Sequence, residues 1–235
     1  MSHFLRIEMS RYQRTILMFG ATAILSVLVG LYFFTIVGQF DDSPDSAILR
    51  QPNTVFSLAL TVSFCVLVLY GAVIYQRLIV SEYIGNRRIQ LYTYPGGRSP
   101  LFLAKNAAFA LAISGSTVVG LAVGAAVFLA AQTIVPVSDS RWTGHSWFAA
   151  LALIPCITLL TLGATMVAGI VGVRRRSTVS TIATAVIIVV LLGNAVALSL
   201  DASPWVSWAV ATVCVLISLS LLVTQNRLIQ HDEVF

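Results

Sequence analysis

The segment 174–201, RRRSTVSTIATAVIIVVLLGNAVALSLD, decides the class of this protein. Between its three arginines and its terminal aspartate lie 24 residues, 177–200, without a charged side chain. As an α-helix with a rise of about 1.5 Å per residue, such a stretch is about 36 Å long. That length exceeds the roughly 30 Å thickness of the hydrocarbon core of a bilayer. The segment therefore predicts a helix that spans a membrane.

The rest of the chain repeats this pattern. Charged residues are only 10% of the sequence and hydrophobic residues are 58%, whereas about one quarter of an ordinary soluble domain is charged. The composition excludes a soluble enzyme, a disordered chain and a nucleic-acid-binding protein. We predict an all-α integral membrane protein, one transmembrane domain over residues 1–235 with six transmembrane helices. Their predicted positions are approximately 16–38, 54–75, 107–134, 147–173, 178–200 and 205–223.

The positions of the cations predict the orientation of the chain. Twelve of the 14 lysine and arginine residues lie on one side, and only Arg50 and Arg141 lie on the other. The positive-inside rule makes the richer side cytoplasmic, so we expect both termini in the cytoplasm. The tryptophans all flank the predicted outer ends of spans, where an interfacial belt belongs.

Residues 1–14 combine apolar side chains at near-helical spacing with three arginines, Arg6, Arg11 and Arg14. This pattern predicts a short amphipathic helix in the cytoplasmic headgroup layer, with the arginines directed toward anionic lipid. The alternative is a solvated basic N-terminus that only follows the orientation rule.

The interior of the predicted spans contains no Asp, Glu, Lys, Arg or His. Proton-coupled carriers need titratable groups at depth, and membrane-embedded hydrolases need a nucleophile with a base or a metal with its ligands. Both classes are therefore disfavoured, and we expect no enzyme activity, cofactor or metal on this chain. The loops are too short for a folded domain, and the sequence has no GxxxxGK[ST] phosphate loop. If ATP drives this protein, a separate subunit must bind it.

Five residues inside the spans are candidates for helix packing or for a transport pathway: Gly120, Gly124, Pro155, Thr158 and Asn194. The glycines form a GxxxG pair that lets two helices approach closely, and Thr158 belongs to a threonine stripe on one helix face. We expect a kink at Pro155. For Asn194 an interhelical hydrogen bond is favoured over contact with a ligand.

The long inner loop, 76–106, reads QRLIVSEYIGNRRIQLYTYPGGRSPLFLAKN. Residues 78–93 predict a short helix, and Pro95-Gly96-Gly97 predicts a sharp turn after it. The plain alternative is a connecting loop whose arginines only follow the positive-inside rule.

Five residues of this loop are shared with a known pattern: Glu82, Leu91, Pro95, Arg98 and Lys105. In this loop the chain resembles the six-span permease subunits of ATP-binding-cassette exporters, the type-2 permease group, which includes bacterial antimicrobial-peptide and drug exporters. The basic N-terminus and the C-terminal NRLIQHDEVF are similar to that group as well. One departure is the connection 201–204, which is shorter than the re-entrant segment that many members have there.

The resemblance implies that the loop is a coupling segment which docks on a cytoplasmic ATPase subunit. Glu82, Arg87, Arg88 and Arg98 would make polar contacts there, and Tyr83 and Ile84 would be apolar anchors. ATP and Mg²⁺ would bind to that partner. A second permease copy or a related permease would complete the transporter, membrane lipid would surround it, and nucleic acid would not be a partner.

The sequence thus leads us to expect an exporter permease in a bacterial plasma membrane, with a hydrophobic or amphipathic cargo such as a peptide, a lipid or a drug. The excess of arginine over lysine, 13 to 1, hints at a bacterial source with GC-rich DNA. Two alternatives stay open: a membrane scaffold or regulator that does not transport, and a secondary carrier or channel.

Overall fold

The computed structural model describes residues 2–40, 51–84, 98–134, 144–202 and 204–230, and their regular secondary structure consists of helices joined by short turns. Within bilayer hydrocarbon a helix satisfies all its backbone hydrogen bonds internally, which is why apolar segments of this length fold as helices. The α-helices of the described residues are α1 (Ser2–Phe40), α2 (Pro52–Leu78), α3 (Arg98–Ile134), α4 (Gly144–Arg174), α5 (Thr178–Ala202) and α6 (Pro204–Gln230).

Each predicted span falls on one of these helices. Five stretches are long and apolar enough to cross a membrane: Gln13–Phe40, Pro52–Glu82, Ser99–Ile134, Leu151–Arg174 and Trp205–Gln230. The described apolar stretch of α5, Thr178–Asn194, is shorter. The prediction of an all-α, multi-pass membrane protein is confirmed at this level.

The N-terminal segment departs from the predicted arrangement. A short interfacial helix over residues 1–14 was expected before a separate span, whereas α1 runs from Ser2 to Phe40 without interruption. Between Arg11 and Phe19 there is no proline or glycine, and most of the residues there have good helix propensity. Residues 2–14 are therefore the first turns of the helix that contains the span. Arg14 is exposed, and the side chains of Arg6 and Arg11 lie outside the described part.

Helices α2 and α4 form the centre of the bundle. Helix α2 packs against α1, α4 and α5, and α4 also packs against α3, α5 and α6. The apolar stretch of α4 is 67% buried and that of α2 is 56% buried, whereas that of α6 is only 17% buried. The core of the bundle is rich in aromatic side chains that are fully buried: Phe19, Phe56, Phe64, Tyr75, Phe102, Phe109 and Phe128.

Small residues set the distance between α1 and α3, the helix pair with the most extensive contact. A Cβ atom at Gly120 would lie 2.6 Å from Cβ of Ala23 and 2.8 Å from the carbonyl oxygen of Gly20. A Cβ atom at Gly124 would overlap the side chain of Val27. Because both positions lack a side chain, the two backbones approach closely.

A tight turn connects α4 to α5. Arg176 has a left-handed backbone with φ 49°, and its N–H donates to the carbonyl of Val173 at 3.1 Å. The Ser177 N–H donates to the Gly172 carbonyl at 3.1 Å, which completes a Schellman motif at the end of α4. The Ser177 hydroxyl then accepts a hydrogen bond from the Ser180 N–H at 3.3 Å, so it caps the start of α5.

The inner loop is shorter than predicted, because both flanking helices extend into it. Helix α2 continues to Leu78, and α3 begins at Arg98 instead of near residue 107. Pro100 lies in the first turn of α3, where its missing N–H would have no partner within the helix. The short helix predicted over 78–93 is not formed at its start, because α2 ends at Leu78 and a 3-10 turn, Val80–Glu82, follows; residues 85–93 lie outside the described residues.

Candidate functional site

The end of α2, the 3-10 turn and the first turns of α3 meet in one place, which we call the α2–α3 junction. The Ile79 N–H donates to the Tyr75 carbonyl at 2.8 Å, and the Tyr83 N–H donates to the Val80 carbonyl at 3.0 Å. Ile79 and Val80 are fully buried. The chain after α2 therefore folds back onto the bundle and does not leave it at Leu78.

An ion pair closes the α2–α3 junction. The Lys105 ammonium donates to a carboxylate oxygen of Glu82, and the side chains are only 5% and 18% exposed. Removing one partner of a buried pair costs about 3–5 kcal/mol, because the other charge stays behind in a low-dielectric environment. The pair therefore holds the turn after α2 to the first turns of α3.

A hydrogen-bonded chain lies beside this pair. The Tyr75 hydroxyl donates to Oδ1 of Asn106 at 2.6 Å, and Nδ2 of Asn106 donates to the Phe102 carbonyl at 2.9 Å. Tyr75 and Asn106 are both almost completely buried. The first bond links α2 to α3, and the second holds the Asn106 amide within α3, so both buried polar groups have a partner.

Aromatic contacts strengthen the same alignment. The rings of Tyr83 and Phe102 meet edge to face, with centroids 5.5 Å apart and an interplanar angle of 83°. Tyr75 and Phe109 form a second edge-to-face pair with centroids 4.9 Å apart. Such pairs contribute about 0.5–1.5 kcal/mol each beyond the burial of their area. The α2–α3 junction is thus held by an ion pair, a hydrogen-bonded chain and two ring contacts.

The structure changes the roles expected for three residues of the loop. Tyr83 is only 3% exposed and packs on Phe102, so its ring belongs to the core of this structure, and its role as an anchor for another protein stays a prediction. Ile84 is partly buried against the core. Glu82 is paired with Lys105 within the chain, and a contact of its carboxylate with an ATPase stays a prediction. The sequence predicts an external interface for these residues because it does not show that the start of α3 packs beside them.

Other predicted residues of the loop lie elsewhere. Arg87, Arg88, Leu91 and Pro95 lie outside the described residues. Arg98 is the first residue of α3, and its side chain is likewise outside the described part.

Sequence reasoning missed Tyr75, Phe102 and Asn106 as members of the α2–α3 junction. The available signal was the adjacent pair Lys105-Asn106 at the edge of a long apolar run. Two neighbouring polar residues at such a position indicate a buried polar contact.

The candidates for packing or a pathway do not join this junction. Pro155 lies inside the continuous helix α4 and is exposed, while Thr158 is buried. The Thr158 hydroxyl donates to the Ile154 carbonyl at 2.8 Å, which satisfies it within its own helix. Gly120 and Gly124 face α1, and Asn194 is exposed on α5. These residues therefore belong to separate contacts.

The described residues contain no group of three or more His, Cys, Asp and Glu side chains that could hold a metal ion. The cysteines are free: Cys156 is buried, and Cys65 and Cys214 are partly buried. The contacts of the α2–α3 junction connect two helices mechanically. No protein-family model, curated protein or solved structure matches this chain, so its function has to be inferred from its own residues.

Proposed function

We propose that this chain is the membrane-spanning permease subunit of an ATP-binding-cassette exporter, in which a separate cytoplasmic subunit hydrolyses ATP. The observation that carries the proposal is the ion pair between Glu82 and Lys105. These two residues stand at the two ends of the sequence pattern that resembles the coupling loop of type-2 permeases. Their contact links the turn after α2, where the loop begins, to α3, where it ends.

The mechanical consequence follows from this geometry. The ion pair and the Tyr75–Asn106 hydrogen bond link the two sides of the loop, so we expect a force on the residues between Glu82 and Lys105 to reach both helices. A partner that binds the loop would therefore act on α2 and on α3. This is the connection that an ATP-driven transporter needs between its ATPase and its membrane helices.

The composition of the spans supports the proposal that a separate subunit supplies the energy for transport. Apart from Lys105, which is neutralised by Glu82, charged residues are confined to the ends of the described apolar helices. Proton-coupled transport needs titratable groups at depth, and the sequence has no phosphate loop. The proposal places the chain in a bacterial plasma membrane with both termini in the cytoplasm, as the positive-inside rule predicts.

The cargo class follows from the same composition. An apolar bundle that has few charged groups at depth among its described residues suits a hydrophobic or amphipathic molecule, such as a peptide, a lipid or a drug. A second permease, identical or related, would form the other half of the pathway.

Affinity purification in mild detergent, followed by mass spectrometry and an ATPase assay, tests the proposal. We expect a stoichiometric cassette ATPase and ATP turnover in the eluate. Recovery of this chain without an ATPase would contradict the proposal and favour a scaffold, a regulator or a secondary carrier.

Charge reversal in the loop tests where the ATPase binds. We expect R87E/R88E to reduce the recovered ATPase at least tenfold, because these arginines lie in the segment proposed to dock. The matched control is R174E/R175E, which reverses two exposed arginines at the end of α4. These arginines are predicted to lie on the cytoplasmic side, as is the loop. Equal losses in both variants would show that total charge matters and not this loop.

A further inference from the structure

Four exposed arginines lie at the ends of α2, α4 and α6 that are predicted to face the cytoplasm. We call them the arginine rim: Arg77, Arg174, Arg175 and Arg227. They follow three stretches that contain no Asp, Glu, Lys or Arg, namely residues 51–76, 142–173 and 202–226. The three helices therefore change from uncharged to cationic at these positions.

Contacts of small residues give the register of α2 and α4. A Cβ atom at Gly71 would lie 3.0 Å from the side chain of Thr165, and a Cβ atom at Gly169 would overlap the ring of Tyr75. The two contacts are four residues apart on both helices, so α2 and α4 run parallel. Arg77 is therefore level with the residue two positions after Gly169.

The register of α4 and α6 follows from a third contact. A Cβ atom at Gly163 would lie 2.9 Å from Sγ of Cys214. Consecutive spans alternate in direction, so α4 and α6, which precede and follow α5, also run parallel. Arg227 lies 13 residues after Cys214 and is therefore level with Arg176, just beyond the end of α4.

The arginine rim thus occupies one thin layer. Its members lie between the levels of residues 171 and 176, a span of about 7.5 Å at the rise of an α-helix. The headgroup region on one side of a bilayer is about 5–8 Å thick, which is half the difference between the whole bilayer and its hydrocarbon core. Helix α4 packs against both α2 and α6, so the arginines stand on neighbouring helices at the depth of lipid headgroups.

The arginine rim has no described carboxylate as a partner. Glu82 is the only carboxylate among the side chains that the structure describes, and it is bonded to Lys105. An arginine presents five N–H donors in a planar fork that matches the oxygens of a phosphate, and such bonds are charge-assisted. The rim therefore suits an anion with the geometry of a phosphate.

Exposed aliphatic side chains adjoin the arginine rim on its membrane side. On α6 they precede Arg227, and on α5 they follow the turn after Arg175. They are Leu216, Leu219, Val223, Val179, Ile182 and Val186. A free anion would use only the arginines, whereas a phospholipid has a phosphate for the arginines and acyl chains for the aliphatic surface. The combination favours a phospholipid.

We propose that the arginine rim is a binding site for an anionic phospholipid, with the lipid phosphate on the guanidinium groups and the acyl chains against α5 and α6. In a zwitterionic lipid, the positive ammonium group beside the phosphate offsets the attraction to arginine, so the site selects for net negative charge. The inference does not rest on the proposed function, because no ATPase takes part in this binding.

Native mass spectrometry of the full chain in mild detergent tests the site. The probes are phosphatidylglycerol and phosphatidylcholine with the same oleoyl chains, so that they differ only in the headgroup. Each arginine near a membrane surface strengthens the binding of anionic lipid about fivefold, so we expect phosphatidylglycerol to bind at least about tenfold more tightly than phosphatidylcholine. Equal affinities for the two lipids would overturn the proposal.

Neutralisation of the rim tests which residues bind the headgroup. We expect R174Q/R175Q to weaken phosphatidylglycerol binding by about 5-fold to about 30-fold. Its binding of phosphatidylcholine should be unchanged, which shows that the variant is folded. R77Q/R227Q, on the two other helices, is expected to give a similar loss, and full affinity in both variants would contradict the site.

The matched control removes the same charge elsewhere. R50Q/R141Q replaces the two arginines that are predicted to lie on the opposite side of the membrane. We expect its affinity for phosphatidylglycerol to stay within about twofold of the unaltered protein, because it leaves the rim intact. A loss equal to that of R174Q/R175Q would show that total charge governs binding, and it would overturn the proposal.

Two further measurements separate the lipid from other anions. Ammonium phosphate is the probe for a free anion, and we expect it not to displace phosphatidylglycerol; displacement that depends on Arg174 and Arg175 would assign the rim to phosphate alone and overturn the lipid. Copurification of an ATPase is the probe for a protein partner. Its loss in R174Q/R175Q, with unchanged phosphatidylglycerol binding, would overturn the proposal in favour of that partner.

The lipid measurements need no ATPase. Selective binding of phosphatidylglycerol by a chain that copurifies with no ATPase would support the lipid site and contradict the proposed function. A copurified ATPase together with equal affinities for the two lipids would support the proposed function and contradict the lipid site.

Discussion

The ion pair between Glu82 and Lys105 can be tested by a double-mutant cycle. Lys105→Met removes the ammonium and leaves a carboxylate that is 82% buried, and Glu82→Gln leaves an ammonium whose side chain is only 5% exposed. Breaking a buried pair from one side costs about 3–5 kcal/mol. Since Glu82 retains some access to water, we expect Lys105→Met at the lower end, about 3 kcal/mol, and Glu82→Gln to cost more.

The double variant E82Q/K105M is the decisive member of the cycle. It buries two uncharged side chains of similar size, and such replacements of a buried pair are often neutral or stabilising. We expect the loss of unfolding free energy in the double variant to be smaller than the sum of the two single losses by at least about 2 kcal/mol. This difference is the coupling energy expected of residues in direct contact.

The free energy of unfolding can be measured by titration of the purified protein in mixed micelles with sodium dodecyl sulfate, followed by the helical signal in circular dichroism. Arg175→Met is the control: it removes an exposed cation, and surface changes of this kind stay within about 0.5 kcal/mol. Additive single effects, or single effects below about 1 kcal/mol, would refute the assignment of a buried, coupled pair.

Three further changes test other parts of the fold by the same titration. Tyr75→Phe should cost about 1–3 kcal/mol, because it leaves the buried Asn106 oxygen without its hydroxyl donor; a neutral effect would contradict that bond. Gly124→Leu should cost about 1–3 kcal/mol or more, because a side chain there overlaps Val27 and separates α1 from α3, and Gly115→Ala, where a Cβ atom meets nothing within 4 Å, is its control. Arg176→Gly should stabilise the protein by up to about 1 kcal/mol, because glycine adopts a left-handed backbone without steric cost; destabilisation would show that the side chain contributes more than the strain costs.

The positions of the spans could be predicted well because the determining property is local. The predicted span 178–200 corresponds to helix Thr178–Ala202, and 147–173 corresponds to Gly144–Arg174. A run of about 20 uncharged residues has few structures available to it in lipid. Its neighbours are not needed to decide that it is a helix.

The start of α3 could not be predicted in this way. The predicted start near residue 107 assumes that Lys105 ends the apolar run, whereas the helix begins at Arg98 and Lys105 is buried inside the bundle. The buried charge is neutralised by Glu82, which lies 23 residues earlier in the sequence. Hydropathy along the chain contains no information about that partner.

The sequence by itself determined that this protein is an all-α membrane protein and approximately which segments are its long apolar helices. Only the tertiary structure decided which way two side chains face. Tyr83, which the sequence predicts to be an external anchor, is buried, and Asn194 is exposed. The physical reason is that helix formation depends on backbone hydrogen bonds within one segment, whereas the face that a helix buries depends on side chains of other helices. The α2–α3 junction and the outward amide of α5 are both products of that second, non-local choice.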